Sequence, residues 1–207
     1  MKSDILLTSN GFFTDEIKEC FMKVIAHKQD TATVIITTAS KEKEQNKYAR
    51  KAESDLLEMG VSVVDFLDVE HDAPSFIQNY SIIYINGGNP YKLLYHLKES
   101  GADKDLFDFA AQKEGVIVGV SAGAMVLGPH INLVNVFTPF MNEVGLRNFS
   151  GLYLHDDIIF PHYDREDLFQ SDQTIEERLR EFESSYDCNV IRMKDRDFLL
   201  KQHYIKK

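Results

Sequence analysis

Three short stretches carry residue types that can break an acyl bond. The first, Gly119-Val120-Ser121-Ala122-Gly123, has the spacing G-x-S-x-G. A serine on a sharp turn from strand to helix exposes its oxygen at the edge of a sheet, and small neighbours let the backbone pass closely on either side. The second, Asn86-Gly87-Gly88-Asn89-Pro90, puts two glycines directly after an apolar run. The third, Pro161-His162-Tyr163-Asp164, puts an imidazole after another. A serine hydroxyl is a weak nucleophile until a base takes its proton. Histidine suits that task because its proton affinity lies near neutrality, and a carboxylate normally holds its second nitrogen in the right tautomer.

These types assign candidate roles. Ser121 is the nucleophile and His162 the base. Asp164 is a candidate to orient the imidazole, with Glu143, Asp156 and Asp157 also near in sequence. A helix starting at Ala122 aims its free N–H groups at the reacting centre, and the Gly88 N–H can supply a second donor to an oxyanion, with Asn89 beside it as a substrate contact. Plainer readings stand next to each of these. The serine stretch also fits a strand–helix turn packed with small residues or a phosphate-binding turn, and Gly and Asn are what any such turn needs. Of the other histidines, His27, His71, His96 and His203 read as solvated surface, His130 as loop and His155 as structural.

The elements that must position these residues alternate along the chain. Apolar, β-branched runs at 5–8, 32–38, 61–67, 82–85 and 116–120 are separated by segments 12–28, 41–59, 90–99 and 103–114, where apolar residues recur at spacings of three and four. Runs apolar on successive residues suit strands buried on both faces, and strand alternating with helix predicts a doubly wound, mostly parallel α/β sheet. Gly60 stands where a helix C-terminal glycine belongs, and Asp103 where the fourth helix would be capped. Beyond residue 128 the pattern loosens, with a strand-like stretch at 153–160, a helix near 172–185, and two short strands within 190–204 around Lys194-Asp195-Arg196-Asp197. All three chemical stretches fall at strand ends, the edge where open α/β sheets bind ligands.

Composition narrows the classes further. The 207 residues, 43% hydrophobic, can bury a core as one domain spanning 1–207. With 33 acidic against 23 basic side chains the formal charge is −10, which repels nucleic acid, and Lys206 and Lys207 read as solvated tail. Cys20 and Cys188 form neither a metal cluster nor a disulfide framework. No apolar run reaches the length of a signal-peptide core or a membrane span, so a cytoplasmic protein without membrane contact is expected. Neither glycine segment fits a dinucleotide or P-loop fingerprint, so no cofactor is expected.

Taken together, NGGNPYKLL, GVSAGAMVLGP and FPHYD resemble the peptidase E (aspartyl dipeptidase) family of serine peptidases over roughly residues 1–185. The resemblance implies a flavodoxin-like fold related to the class I glutamine amidotransferases and metal-free hydrolysis of short peptides. It also implies Ser121 as nucleophile, His162 as general base, and the N–H groups of Gly88 and Ala122 as the oxyanion hole. One departure concerns the acid: the position that carries it in aspartyl dipeptidases is Val136 here. The glutamine amidotransferase relatives place theirs next but one after the histidine, which favours Asp164, and the related cyanophycinases favour Glu143. A second departure is that no cation aligns to receive an N-terminal Asp side chain; Arg165, Arg178 and Arg180 are the nearby candidates. The same machinery would serve another acyl hydrolase, and an elbow without an acid would suit a ligand-binding relative.

Overall fold

The computed structural model describes residues 3–112 and 114–202. In chain order the elements are β1 (Asp4–Thr8), α1 (Asp15–Ile25), β2 (Thr33–Ile36), α2 (Lys47–Glu58), β3 (Val64–Leu67), β4 (Ile82–Ile85), α3 (Pro90–Ser100), α4 (Ala102–Gln112), β5 (Val116–Val120), α5 (Ala122–Leu127), α6 (Val134–Phe137), β6 (Ile158–Phe160), α7 (Ile175–Tyr186), β7 (Val190–Arg192) and β8 (Phe198–Gln202). His203, Lys206 and Lys207, and the end of the last expected strand, lie outside the described residues.

The main sheet runs β3-β2-β4-β5-β1-β8, with every pairing parallel except β1 with β8. Counted from β2, the parallel part has the order of a flavodoxin-like sheet, with β1 standing where a fifth strand would. Successive strand residues point to opposite faces, so each strand feeds two cores. Leu6, Ile35, Ile82, Tyr84, Val116 and Val118 pack against α1 and α2, while Ile5, Leu7, Val34, Ile36, Ile83, Ile85 and Ile117 pack against α3, α4 and α5. Burial on both faces explains why these runs are apolar on successive residues. In α1, Ile17, Phe21 and Ile25 recur every four residues and are all buried, each contributing about 1.5–3 kcal/mol. Thr14 caps that helix through the Ile17 N–H.

The doubly wound architecture matches the expectation, and several boundaries differ. Segment 41–59 begins with a 3₁₀ turn before α2, because Asn46 caps α2 by accepting from Tyr48 and Ala49. Asp103 lies within the first turn of α4 and caps nothing there, since α4 follows α3 directly through the left-handed Gly101. Of the stretch 153–160 only β6 is a strand. The residues before it bond the end of α5 instead, Leu152 N–H to Val126 O and Leu154 N–H to Leu127 O, both at 2.8 Å. β6 pairs in parallel with β7 in a separate two-stranded sheet, over a smaller core of Leu133, Phe137, Phe160, Ile175, Leu179 and Phe182. The turn between β7 and β8 thus bridges the two sheets.

The chain reverses the direction in which it adds strands between β2 and β4, and their carboxyl ends bound a crevice. Gly88 lies there at φ +140°, so close to the end of β2 that a Cβ would stand 2.5 Å from the Ala39 carbonyl oxygen. Only glycine combines that backbone angle with that approach.

Candidate active site

Ser121 follows β5 at φ 50°, ψ −110°, a strained conformation for a residue with a side chain. Neighbouring backbone holds it there: its N–H donates to Thr8 O at 2.9 Å, and its carbonyl accepts from Met125 N–H at 3.0 Å. The flanking glycines are required by contact. A Cβ on Gly119 would lie 2.7 Å from Leu127 Cδ1, and one on Gly123 would lie 2.3 Å from Ile85 O. Across the crevice, a Cβ on Gly87 would lie 3.1 Å from Ser121 Cβ, so the two glycine stretches meet at the serine. Ala122, the first residue of α5, is buried, and its N–H has no partner within the helix.

His162 stands two residues beyond β6, also with positive φ (58°). Its backbone N–H donates to Ser9 Oγ at 2.8 Å, and the next N–H, of Tyr163, donates to Met193 O at 3.0 Å. These bonds aim the ring between two partners. Nε2 lies 2.9 Å from Ser121 Oγ, and Nδ1 lies 2.6 Å from Asp195 Oδ1. A carboxylate at Nδ1 fixes the hydrogen on that nitrogen and leaves Nε2 to accept the serine proton.

The acid at the ring is therefore Asp195, and this corrects the expectation for Asp164. The Asp164 carboxylate turns to the backbone of the β7–β8 turn, where Oδ1 accepts the Asp195 N–H at 2.9 Å. It holds the residue that holds the histidine. Glu143 is far from the role too, since its exposed carboxylate pairs with Lys41 at 2.8 Å. Asp195 is buried, with hydrogen-bond donors around both oxygens: Ser9 Oγ at 3.4 Å from Oδ1, and Asn10 Nδ2 at 3.3 Å and Arg165 Nη1 at 3.4 Å from Oδ2. That environment compensates the burial of a charge.

Asp195 escapes a sequence reading because its link to His162 is topological. In the register of β6 with β7, Phe160 pairs with Arg192. His162 lies two residues past one strand end and Asp195 three past the other, so neighbouring parallel strands bring them level. The signal present in the sequence was a carboxylate-rich turn after an apolar strand, and pairing that strand with β6 would have been needed to use it.

Asn89 also needs correcting as a substrate contact. Its Oδ1 caps α3, accepting from Tyr91 N–H at 3.0 Å and Lys92 N–H at 3.1 Å, and its Nδ2 donates to Met141 O at 2.8 Å. Such a cap contributes about 1 kcal/mol. Val136 is exposed on α6, and the carboxylate that meets the imidazole is that of Asp195. Of the candidate cations, Arg178 is buried against Phe137 and donates to the carbonyls of Phe169 and Val136, while Arg180 pairs with Glu176. Arg165 alone of the three reaches the site, bridging Asp195 and Asp167. His155 is buried, with Nδ1 accepting the Asp157 N–H and Nε2 facing Ala124 O, and burial pushes its pKa down. His96 departs from the surface reading: it is mostly covered and lies beside Glu70.

Among the described residues, Asp68, Glu70 and His71 form a cluster with ligand atoms close enough for a metal ion. Lys43 pairs with both carboxylates and Lys92 with Glu70, so ammonium groups already supply the positive charge a metal would bring.

Comparisons with known proteins place the chain in a family. The model of peptidase family S51 matches residues 5–203. An uncharacterized peptidase of Listeria innocua is 32% identical over 162 residues, covering 74% of this chain and 76% of the relative. Another, of Pasteurella multocida, is 30% identical over 152 residues, 72% of each chain. Peptidase E of Escherichia coli O6:K15:H31 is 31% identical over 116 residues, 56% of this chain and 48% of that one. Among solved structures, a protein from Listeria monocytogenes EGD-e that bears the peptidase E name superposes with a TM-score of 0.77 at 24% identity, over 98% of this chain and 95% of that one. A peptidase from an acI-B1 Actinobacterium superposes with a TM-score of 0.73 at 20% identity, covering 97% and 84%. The chain belongs to peptidase family S51 and is a serine-type peptidase.

Proposed function

We propose that this peptidase hydrolyses short peptides through a triad of Ser121, His162 and Asp195. The observation that carries the reading is the unbroken path from Ser121 Oγ to His162 Nε2 at 2.9 Å and from His162 Nδ1 to Asp195 Oδ1 at 2.6 Å. In this mechanism His162 takes the Ser121 proton as Oγ attacks the scissile carbonyl, and Asp195 stabilises the imidazolium that forms. The N–H groups of Ala122 and Gly88 receive the oxyanion. His162 then protonates the leaving amine, and a water activated by the same ring releases the acyl group. The recessed setting of the pair, with side-chain exposures of 19% for His162 and 8% for Asp195, favours short peptides over segments of folded proteins. Two half-buried cysteines without a disulfide suit a reducing cytoplasm.

The test is turnover of a panel of dipeptides and p-nitroanilides, Asp-initiated ones included, with fluorophosphonate labelling in parallel. Wild type is expected to turn over at least one peptide and to label. Ser121→Ala should lose labelling and at least about 10⁴-fold in kcat/KM. Equal activity in the two proteins would overturn the reading, and the preferred peptide would settle whether an N-terminal Asp is favoured.

A further inference from the structure

The end of β1 touches every member of the triad. Thr8 O accepts the Ser121 N–H at 2.9 Å, Ser9 Oγ accepts the His162 N–H at 2.8 Å, and Asn10 Nδ2 lies 3.3 Å from Asp195 Oδ2. The Ser9 hydroxyl, fully buried, is the central piece: besides the His162 backbone it lies 3.4 Å from Asp195 Oδ1 and 3.5 Å from His162 Nδ1.

A hydroxyl has one proton to give and two lone pairs to accept with. One lone pair takes the His162 N–H. His162 Nδ1 carries its hydrogen toward Asp195 at 2.6 Å, so it cannot also accept from Ser9. The Ser9 proton therefore goes to Asp195 Oδ1. One atom ties the histidine backbone to the carboxylate oxygen that holds the histidine ring, and it does so where His162 is in a left-handed conformation that a residue with a Cβ adopts only under constraint.

We propose that Ser9 is a positioning residue of the peptidase, setting the imidazole in register between Ser121 and Asp195. The proposal rests on the triad reading above. Ser9 acts through His162 and Asp195 and touches no reacting atom, so its loss slows the chemical step and leaves substrate binding largely alone. A displacement of about 1 Å in a reacting group can cost about 10²-fold, and Ser9→Ala is expected to lower kcat by about 10- to 100-fold at nearly constant KM.

The experiment compares wild type with Ser9→Ala, Ser9→Cys and Ser9→Thr, measuring kcat and KM, melting temperature, and the low-field proton resonance of His162 Nδ1–H by NMR. Alanine removes the hydroxyl, cysteine fills the same place with a weak donor, and threonine keeps the oxygen. The expected result is that folded Ala and Cys variants lose kcat and move the Nδ1–H resonance, while threonine restores both toward wild type. Wild-type kcat in Ser9→Ala, an unmoved resonance, or a threonine variant as impaired as alanine would each overturn the proposal. Failure of all three variants to fold would overturn it too, in favour of a purely structural serine. The resonance needs no turnover, so it judges Ser9 even if the peptide panel goes against the proposed function.

Discussion

Among the described residues, a histidine meets a carboxylate at two places beyond the carboxyl ends of the strands. Beside β3, His96 Nε2 lies 3.6 Å from Glu70, too far for a hydrogen bond, and Glu70 also receives the ammonium groups of Lys43 and Lys92. Hydrogen bonds from Lys43 and then Lys92 lower the Glu70 pKa to about 2, and burial lowers that of His96, with Glu70 opposing and both lysines assisting. Beside β5, His162 Nδ1 makes a 2.6 Å contact with Asp195, and Arg165 approaches only the opposite oxygen, at 3.4 Å. The difference teaches what makes such a pair useful. Glu70 is committed to lysines and leaves its histidine neutral and unoriented. Asp195 turns one oxygen, shared with the Ser9 hydroxyl, to an imidazole whose far nitrogen reaches a serine.

The sharpest way to break this comparison is Asp195→Asn. It keeps the shape and removes the charge, so the imidazole is free to take the wrong tautomer, and kcat should fall by about 10³- to 10⁴-fold. Asp164→Asn should cost far less, about 10-fold, because Asp164 supports the turn through a backbone N–H. Measuring kcat/KM for both decides between the two carboxylates: a larger loss at Asp164 would return the acid's role to the residue nearest the histidine in sequence.

Next in size is Gly88→Ala. The added Cβ meets the Ala39 carbonyl at 2.5 Å with φ at +140°, so the loop must move. If its N–H receives the oxyanion, kcat should fall by about 10²- to 10³-fold, and strain should remove about 1–3 kcal/mol of stability. Kinetics and a melting curve read the two effects separately. A stable, fully active variant would show that the oxyanion side of the site does not depend on this loop.

These positions also show what the sequence could reveal. The elbow was legible because Gly119, Ser121 and Gly123 sit within five residues, although the contacts that forbid a Cβ come from α5 at Gly119 and from Ile85 at the end of β4 at Gly123. His162 was legible as an imidazole after an apolar strand. The parallel sheet was legible because burial on both faces leaves strands apolar on successive residues. Asp195 was not, because it depends on β7 pairing with β6 while β8 crosses to β1, and short strands carry no mark of their partners. Asn89 misled because the Gly-Asn-Pro pattern that frames a ligand loop is equally the pattern of a helix cap.

The smallest expected effect on catalysis comes from Glu70→Gln, and that is what sharpens the contrast. Because the folded pKa of Glu70 is about 2 against an ordinary 4.5, the ionised form is favoured by the fold. Its contribution to stability is fully present above about pH 4.5 and is lost as the pH falls from there through about 2. His96 acts in the same direction at higher pH, since a depressed histidine pKa means that protonation opposes folding as the pH drops below its ordinary 6.5. Glu70→Gln should lower stability at pH 7 by about 1 kcal/mol, a partly exposed cluster being screened by water. It should also flatten the decline between pH 4.5 and 2 and leave kcat within about twofold of wild type. Denaturant melts across that range, with kinetics at neutral pH, test both halves. A large fall in kcat would mean that the lysine-bound pair beside β3 is coupled to the triad, and the division between a structural and a catalytic histidine–carboxylate contact would fail.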